Sequence, residues 1–471
     1  RELIAAVAGH SAALVPVSAA DPRPDRIPLS FAQQRMWFIN QFDPSLPTYN
    51  VPAILRLTGA LDVDALRQAV VDTVARHEVL RTSFPDSQDG RPGDGPRQLI
   101  GDIAEFDDRG IWRIAASEAE LMASAATGFD VAGDWPLRAM LWPTTDGAEP
   151  EYLFAVVTHH IAVDGESLLP LVSDVVTAYR ARTAGAVPQW SPLPVQFADF
   201  AIWQHDVLGS ADDPQSVVGR QLDYWREQLA DVPDVLELPA DRRRPAVASH
   251  VGARTSLTIP AEVGERITAV AAERGITPFM VVHAALAVLL ARLSDTDDIA
   301  VGSPIAGRGD EALDPLVGMF VNSLVLRTRI VSGETFDALL ERVRTTDLEA
   351  FANSDVPFET VVDALDPVRS EAFAPLAQIA LSFNPGASVD GADVTVDDLR
   401  VAPIAAPLVP AHQDMTVVVT SGPAGEPWSA MATYATDLFD EPTVSSMLGR
   451  LIRLLDAVTD DPGRAVGDVD L

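Results

Sequence analysis

The sequence predicts an α/β protein with mixed sheets, arranged as two lobes. Its 471 residues exceed the usual size of one domain, which favours two sizeable cores. Apolar runs typical of buried strands alternate with amphipathic helical segments in both halves of the chain. A proline-rich segment (VPQWSPL) at residues 187–193 lies between the halves. We therefore expect an N-terminal lobe at residues 20–186 and a C-terminal lobe at 187–471, preceded by a separate segment at 1–19.

The N-terminal half is predicted to begin with a short amphipathic helix at residues 1–9, followed by a proline-rich polar linker at 18–28. Ser30 is suited to cap the next helix. Apolar residues at helical spacing predict helices, and short apolar runs predict strands. In chain order these are a helix at 29–42, a strand at 51–58, a helix at 63–77, extended chain at 80–84, a loop at 86–101, strands at 137–142 and 151–158, and a helix at 167–182.

The C-terminal half is predicted to continue the alternation of helices and strands. Thr277 as the cap and Pro278 at the first helical position predict a helix at 277–293, which is apolar nearly all round and hence buried. Further helices are predicted at 197–207, 224–229, 261–274, 336–351, 357–365 and 442–458. Strands are predicted at 255–259, 299–305, 321–330, 379–383, 415–420 and 429–434.

The composition excludes several classes of function. A formal charge of −34 argues against nucleic-acid binding, which needs a basic face. The absence of cysteine excludes disulfides, thiol catalysis and cysteine-based zinc sites. No uninterrupted apolar run has the length of a membrane span. Because the chain starts at Arg1 without a signal-like segment, we expect a piece of a longer cytoplasmic protein.

The stretch YLFAVVTHHIAVDG at residues 152–165 carries the strongest chemical signal. A buried strand ends in two adjacent histidines, and alternation of side chains along a strand should turn one into the core and the other towards a cleft. An imidazole in a cleft can take or hold a proton. Zinc needs three or four ligands, so we predict no metal site here. From these residues alone, catalysis and a structural role remain equally open.

The segment HHIAVDG resembles the HHxxxDG motif of condensation domains in nonribosomal peptide synthetases. Six further segments are similar to motifs of that family and follow in the family's order. They are LSFAQQRMWF (29–38), RHEVLRTSF (76–84), FADFAIWQ (197–204), VGMFVNSLVLRT (317–328), NSDVPFE (353–359) and VRSEAFAPLAQIALSFN (368–384). The last departs most from the family, at Ser370, Glu371 and Ala374.

The resemblance implies two chloramphenicol-acetyltransferase-like lobes in a V-shaped pseudo-dimer with a central channel. It also implies formation of an amide (peptide) bond between a donor acyl or peptidyl thioester and the amine of an acceptor aminoacyl thioester. Both substrates would arrive on phosphopantetheine arms, one on an upstream and one on a downstream carrier domain, with an adenylation domain adjacent. No cofactor would be tightly bound, and residues 1–19 would be the end of a carrier domain and its linker.

The resemblance also assigns roles to the residues of the motif. His160 is expected near the middle of the channel, as a base or as a hydrogen-bonding group for the acceptor amine, while His159 faces the core. The N–H of Gly165 is a candidate oxyanion donor. Asp164 is expected to be structural, paired with Arg308, which follows a predicted strand end, or failing that with Arg81.

Seven further residues are predicted to line the channel or to contact the phosphopantetheine arm: Glu166, Ser167, Trp203, Asn322, Ser323, Ser382 and Asn384. For the asparagines and for Ser323 and Ser382, an ordinary structural role in strands and turns remains an equal alternative. Glu166 could attract the acceptor's ammonium group, or simply suit the start of a helix.

Other activities of the same fold remain open. An epimerising or an ester-forming domain would also carry the histidine motif, whereas a non-catalytic docking platform typically lacks the second histidine. Heterocyclisation is disfavoured because that subfamily has aspartate in place of the histidine pair. Within the condensation domains, the chain resembles the subfamily that follows an epimerisation step, which predicts a donor with a D-configured or achiral last residue.

Overall fold

Two six-stranded mixed sheets form the frame of the molecule, with a three-stranded sheet beside them. The computed structural model describes residues 14–86, 95–144, 149–386, 394–407 and 409–470, so the helix predicted at 1–9 lies outside it. Helices pack against the large sheets, and the buried apolar side chains form two clusters. The predicted α/β class with mixed sheets is confirmed.

The strands are numbered in chain order. They are β1 (Ile27–Pro28), β2 (Asn50–Thr58), β3 (Thr82–Ser83), β4 (Arg97–Ile100), β5 (Trp112–Ile114), β6 (Leu137–Pro143), β7 (Glu151–His159), β8 (Gly252–Ile259), β9 (Asp298–Ile305), β10 (Asn322–Arg329), β11 (Ile379–Asn384), β12 (Val394–Val396), β13 (Leu399–Ile404), β14 (Met415–Thr420) and β15 (Trp428–Ala435).

The α-helices are numbered in the same way. They are α1 (Phe31–Phe42), α2 (Val63–Arg76), α3 (Glu118–Ala125), α4 (Leu168–Thr183), α5 (Phe197–Leu208), α6 (Val217–Gln228), α7 (Ala261–Arg274), α8 (Pro278–Ser294), α9 (Phe336–Ala352), α10 (Phe358–Leu365) and α11 (Glu441–Asp460).

The sheet of the N-terminal half is built around β7. Its strand order is β12-β13-β2-β7-β6-β5, and β7 pairs antiparallel with both β2 and β6. Helix α1, which leads into this sheet, begins with the predicted Ser30 cap. The Ser30 and Gln33 side chains each bond the other's backbone N–H, which satisfies two amide donors at the start of the helix. Because neighbours flank β7 on both sides, its end is a rigid point from which to present side chains.

Two short elements of this half differ from the prediction. The chain predicted as extended at 80–84 starts as a 3₁₀ turn, Glu78–Arg81, and only Thr82–Ser83 forms a strand. Within the predicted loop at 86–101, strand β4 pairs with both β1 and β3. These pairings join segments about 15 to 70 residues apart in the chain, and local propensity does not report such partners.

The sheet of the C-terminal half has the order β10-β9-β11-β14-β15-β8. Strand β11 runs parallel to both β9 and β14, and the other pairs are antiparallel. Helix α8 is buried over most of its length, as its apolar sequence predicts. The Thr277 side chain accepts the Met280 N–H at 3.3 Å, so the predicted cap of this helix is confirmed.

A segment of the C-terminal half crosses to the other sheet. Strand β13 pairs antiparallel with β2, with Ile404 opposite Ile54, and β12 extends the sheet beyond it. The division of the chain at residue 187 stays a prediction, but residues 394–404 add to the sheet of residues 20–186. Sequence periodicity missed this crossing because β13 is short and contains Pro403, which is unfavourable in a strand.

Among the described helices, none is by itself long and apolar enough to cross a membrane. Taken together, α7 and α8 would be long and apolar enough to cross one, by length and composition only. The chain bends by 109° between them, however, and α8 lies in the core.

Candidate active site

The end of β7 places the two adjacent histidines in different surroundings. His159 is 2% exposed and packs near Phe129, on the core side that strand alternation predicts. Its Nδ1 accepts the Ile161 N–H at 3.1 Å, so the ring proton resides on Nε2. Burial lowers the pKa of His159 to about 3, and nearby His160 and Arg138 contribute. His159 is therefore a neutral core residue at neutral pH.

His160 is half-buried, and its backbone N–H donates to the Tyr49 carbonyl at 2.8 Å. Burial lowers the pKa of its imidazole below the usual value, and Arg35 adds to this effect; its own carbonyl and Asp164 oppose it. Within the described part of the chain, its buried Nδ1 has no hydrogen-bond partner. The ring is consequently neutral at pH 7, and neither of its nitrogens bonds another side chain in the described part of the chain, so one of them can serve as a base or a hydrogen-bond acceptor.

Asp164 holds the loop that follows His160 against the other half of the chain. The carboxylate is 2% exposed. Its Oδ1 accepts the backbone N–H and the hydroxyl of Ser167 at 2.9 and 2.6 Å, and its Oδ2 accepts the Phe320 N–H at 2.9 Å. Arg308 Nη2 lies 3.3 Å from Oδ1, so the structure brings the predicted arginine to this carboxylate. Asp164 thus fixes the loop from both sides.

Ser167 and Arg81 lie where the sequence did not place them. Ser167 was predicted to line the channel, but it is fully buried and accepts the Gly318 N–H and Arg308 Nη2, both at 3.0 Å. It is therefore part of the network around Asp164. Arg81, the alternative partner of Asp164, instead donates to the Gly101 carbonyl at 2.6 Å, because its turn ends beside that residue.

Gly165 and Glu166 form the exposed part of the loop, just before helix α4. A Cβ added to Gly165 would meet no atom within 4 Å, and its φ lies outside the left-handed region. The protein itself therefore does not require glycine here. An open backbone next to His160 leaves room for a substrate to approach the amide, which fits the predicted role of Gly165 as a donor.

The condensation domain family model matches residues 24–471. The chain belongs to the condensation domain family. CymA of Salinispora arenicola, described as a "probable non-canonical nonribosomal peptide synthetase", is 44% identical over 462 residues, which is 98% of this chain but 6% of that protein. A dimodular nonribosomal peptide synthase of Bacillus subtilis is 41% identical over 457 residues, 95% of this chain and 19% of that protein. The chain thus spans a small fraction of the length of either relative.

Solved structures confirm the fold. The X-domain from teicoplanin biosynthesis, in its complex with OxyB, is similar at a TM-score of 0.85 and 30% identity, over 98% of this chain and 99% of that one. The predicted architecture of two chloramphenicol-acetyltransferase-like lobes is therefore confirmed for this condensation domain.

A large cavity of about 1470 Å³ reaches residues that hold the motif loop, although neither His160 nor Gly165 is among its lining residues. Arg308 and Phe320, which belong to the Asp164 network, line it, as do three predicted channel residues, Trp203, Asn322 and Ser382. Ser323, which is half-buried, and the exposed Asn384 are not among its lining residues.

Two of these cavity residues already have protein partners. The indole N–H of Trp203 donates to the Val15 carbonyl at 2.7 Å. The Asn322 amide donates to the Ser354 and Val356 carbonyls, at 3.0 and 2.8 Å, and also accepts two backbone N–H groups. Because these groups are satisfied, both side chains shape the cavity wall more than they offer polar groups to a ligand.

Four residues around His160 were not identified from the sequence. Tyr49 stacks on His412, with ring centroids 4.8 Å apart and an angle of 16° between the planes. Arg35 on α1 forms an ion pair with Glu359 on α10 at 2.8 Å. Arg35 and Glu359 lie in two of the segments that resemble motifs of the family, so the sequence did contain a signal for these two residues. Nothing in the sequence indicated that His412 would reach this site, because it lies in a loop with no recognisable motif.

We predict that His159 makes the protein less stable in acid. Its folded-state pKa is about 3, below the ordinary 6.5, so the unfolded chain binds the proton first as pH falls. The stability contributed by the neutral ring is complete above pH 6.5 and is lost progressively below it. One such group contributes a slope of about 1.4 kcal/mol per pH unit.

This prediction can be measured by denaturant unfolding of wild type and His159→Asn between pH 6.5 and 4.5. Asparagine keeps an acceptor for the Ile161 N–H but has no titrating group, so the stability of the variant should depend less steeply on pH. Equal slopes for the two proteins would contradict it.

Proposed function

We propose that this condensation domain forms an amide bond between a carrier-bound donor acyl or peptidyl thioester and the amine of a carrier-bound aminoacyl acceptor. The observation that carries this is His160, a neutral imidazole directly after a rigid strand, whose ring bonds no other side chain among the described residues. Two carrier domains, upstream and downstream, would present the substrates on phosphopantetheine arms, and an adenylation domain would adjoin. The names of the curated relatives, which are peptide synthetases, support these partners.

In this mechanism, the acceptor amine attacks the carbonyl carbon of the donor thioester. A C–N bond forms, and the C–S bond breaks when the tetrahedral intermediate collapses. The amine proton passes to His160 and returns to the departing pantetheine sulfur, so that the ring is regenerated. Amines attack thioesters readily, and much of the acceleration would come from holding both ends in attack geometry. A His160 that only hydrogen-bonds the amine would act through the same position.

The charge that develops on the carbonyl oxygen needs a donor. Gly165 is the best candidate on the motif loop, since its backbone is open to approach and it precedes helix α4. The cavity lined by Trp203, Asn322 and Ser382 has the size to hold a phosphopantetheine arm. Its polar groups are partly used by the protein, so shape would dominate that contact.

The experiment that tests this function combines the domain with two separately loaded carrier proteins. Mass spectrometry of the material on the acceptor carrier should detect the amide product. A hydroxy-acyl acceptor in parallel tests ester formation, and chiral analysis of the recovered donor residue tests epimerisation. Product only with the hydroxyl acceptor, or a racemised donor without transfer, would favour one of these alternatives.

A docking platform is the second candidate function. It is favoured by the similarity to the X-domain, which was solved as a complex with OxyB. A neutral His160 whose ring bonds no other described side chain is better explained by catalysis. The platform would be supported if the domain transfers nothing between any pair of loaded carriers but binds another protein stably. The His160→Ala variant should then bind that protein as tightly as wild type does.

We predict that the donor substrate ends in a D-configured or achiral residue. The segments PLSFAQQRMWFINQFDP (28–44), YNVPAILRL (49–57) and THHIAVDG (158–165) resemble the subfamily that acts after an epimerisation step. With matched D- and L-terminated peptidyl carriers and one acceptor, we expect the D-donor to react at least about tenfold faster, which corresponds to about 1.4 kcal/mol between the two transition states. A clear preference for the L-donor would overturn the subfamily assignment and leave amide formation intact.

A further inference from the structure

His412 lies on the segment that returns from the sheet of the N-terminal half to the sheet of the C-terminal half, between β13 and β14. This segment is held on both sides of the histidine. The Ala411 N–H donates to the His250 carbonyl at 3.0 Å. The Asp414 carboxylate binds the Arg244 guanidinium through both oxygens. The backbone that carries His412 is therefore anchored, so its ring has a defined position.

The ring of His412 lies against the active-site strand pair. It stacks on Tyr49 at 4.8 Å and 16°, and the carbonyl of Tyr49 accepts the His160 N–H at 2.8 Å. Tyr49 directly precedes β2, whose Asn50 lies opposite His159. A residue from the C-terminal half is thus one aromatic contact away from the backbone of His160.

Neither ring nitrogen of His412 makes a hydrogen bond across the ranges that the structure describes. The ring is half-buried and its nitrogens are not sealed from solvent, so a ligand can reach them, and stacking alone would be served equally well by a phenyl ring. Burial, followed by His160, His250 and Arg35, lowers the pKa of His412 to about 3, so the ring stays neutral. A neutral imidazole can donate from one nitrogen and accept at the other, a pattern that matches an amide group. Arg35, whose charge contributes to this lowering, is paired with Glu359.

We propose that His412 is a second substrate-binding imidazole of the active site, which hydrogen-bonds an uncharged amide group of the carrier-bound substrate while His160 handles the amine proton. This proposal rests on the proposed function of the domain. The two rings would have different roles because they are attached to different parts of the fold. His160 stands at the reacting centre directly after β7, whereas His412 reaches the site from the other half of the chain.

The test uses four variants of the purified domain. His412→Phe keeps the stack on Tyr49 and removes both nitrogens. His412→Asn and His412→Gln return one polar group each, near the positions of Nδ1 and Nε2, and His412→Ala removes the stack as well. The binding probe is a glycylglycyl pantetheine in which NH replaces the thioester sulfur, measured by calorimetry. Turnover is measured with a glycylglycyl donor carrier and a glycyl acceptor carrier.

We expect His412→Phe to melt like wild type, but to bind the probe about tenfold more weakly and to lose about tenfold in turnover, the change expected for one lost hydrogen bond. We expect the Asn or the Gln variant to recover much of both. Wild-type affinity for the probe in His412→Phe would overturn the proposal, as would failure of both amide variants to improve on it. If wild type binds the probe in a His412-dependent way but transfers nothing, the proposal holds and amide formation fails. If wild type does not bind the probe, the proposal is also overturned.

Discussion

Replacing His160 by alanine is expected to lower the rate of amide formation by about 10²–10⁴-fold, the usual contribution of a positioned acid–base group, while the fold persists. The side chain makes no hydrogen bond that the described structure depends on, and its Nδ1 lacks a partner. Removing it therefore takes away chemistry rather than support. The measurement is dipeptide formation between two loaded carriers, under single-turnover conditions.

The matched control for this variant is His159→Ala, which changes the neighbouring residue of the same type. Because His159 is buried and accepts the Ile161 N–H, its loss leaves a cavity and an unsatisfied donor. The expected cost is about 2–4 kcal/mol of folding stability, with activity falling in proportion to the folded fraction. If the rate of amide formation by His160→Ala stays within a few-fold of the wild-type rate, His160 does not take part in the mechanism.

The pH dependence of the reaction should follow the neutral form of His160. Burial lowers the pKa of this group, so the active neutral ring is retained through neutral pH and protonated only below the ordinary imidazole range near 6.5. We therefore expect a rate that is level around pH 7 and falls only in more acidic solution.

Replacing Asp164 by alanine is expected to destabilise the protein by about 3–5 kcal/mol and to lower activity at the same time. The substitution removes the carboxylate acceptor from four donors: the Ser167 N–H and hydroxyl, the Phe320 N–H and Arg308 Nη2. The Phe320 N–H loses the acceptor it has, whereas the other three keep neutral oxygens nearby, the Asp164 and Gly318 carbonyls and Ser167 Oγ. The side chain of Arg308 is only 7% exposed, so its charge would remain buried and uncompensated. Denaturant unfolding and the carrier assay on the same preparations measure both effects.

A double-mutant cycle separates the ion pair from the rest of this network. Arg308→Met removes the charge and keeps an extended apolar side chain beside Phe320, whose ring lies 4.2 Å below the guanidinium. If Asp164 and Arg308 stabilise the fold through their mutual interaction, Asp164→Ala should lower the free energy of unfolding less in the Arg308→Met background than in wild type. An Asp164→Ala protein that unfolds like wild type yet is inactive would mean that Asp164 takes part directly in the chemistry.

Much of the fold could be predicted because its signals are local. The helix at 261–274 and the strand at 415–420 have the predicted bounds, since apolar periodicity and capping residues lie within the elements themselves. The prediction failed for β4 and β13. Both are short, polar or proline-containing strands that exist because distant segments pair with them, and such pairing leaves little trace in their own sequence.

The sequence by itself determined the centre of the candidate site: a buried strand that ends at His159, followed by His160, Asp164 and Gly165. Strand alternation was sufficient to place one histidine in the core, because that rule depends only on neighbouring residues. Tertiary structure alone decided which residues complete the site. Arg308, 144 positions from Asp164, reaches that carboxylate and Arg81 does not. Ser167 joins the buried network instead of the channel, and His412 enters from the other half of the chain. These contacts depend on how the two sheets are packed together, and no local pattern encodes that geometry.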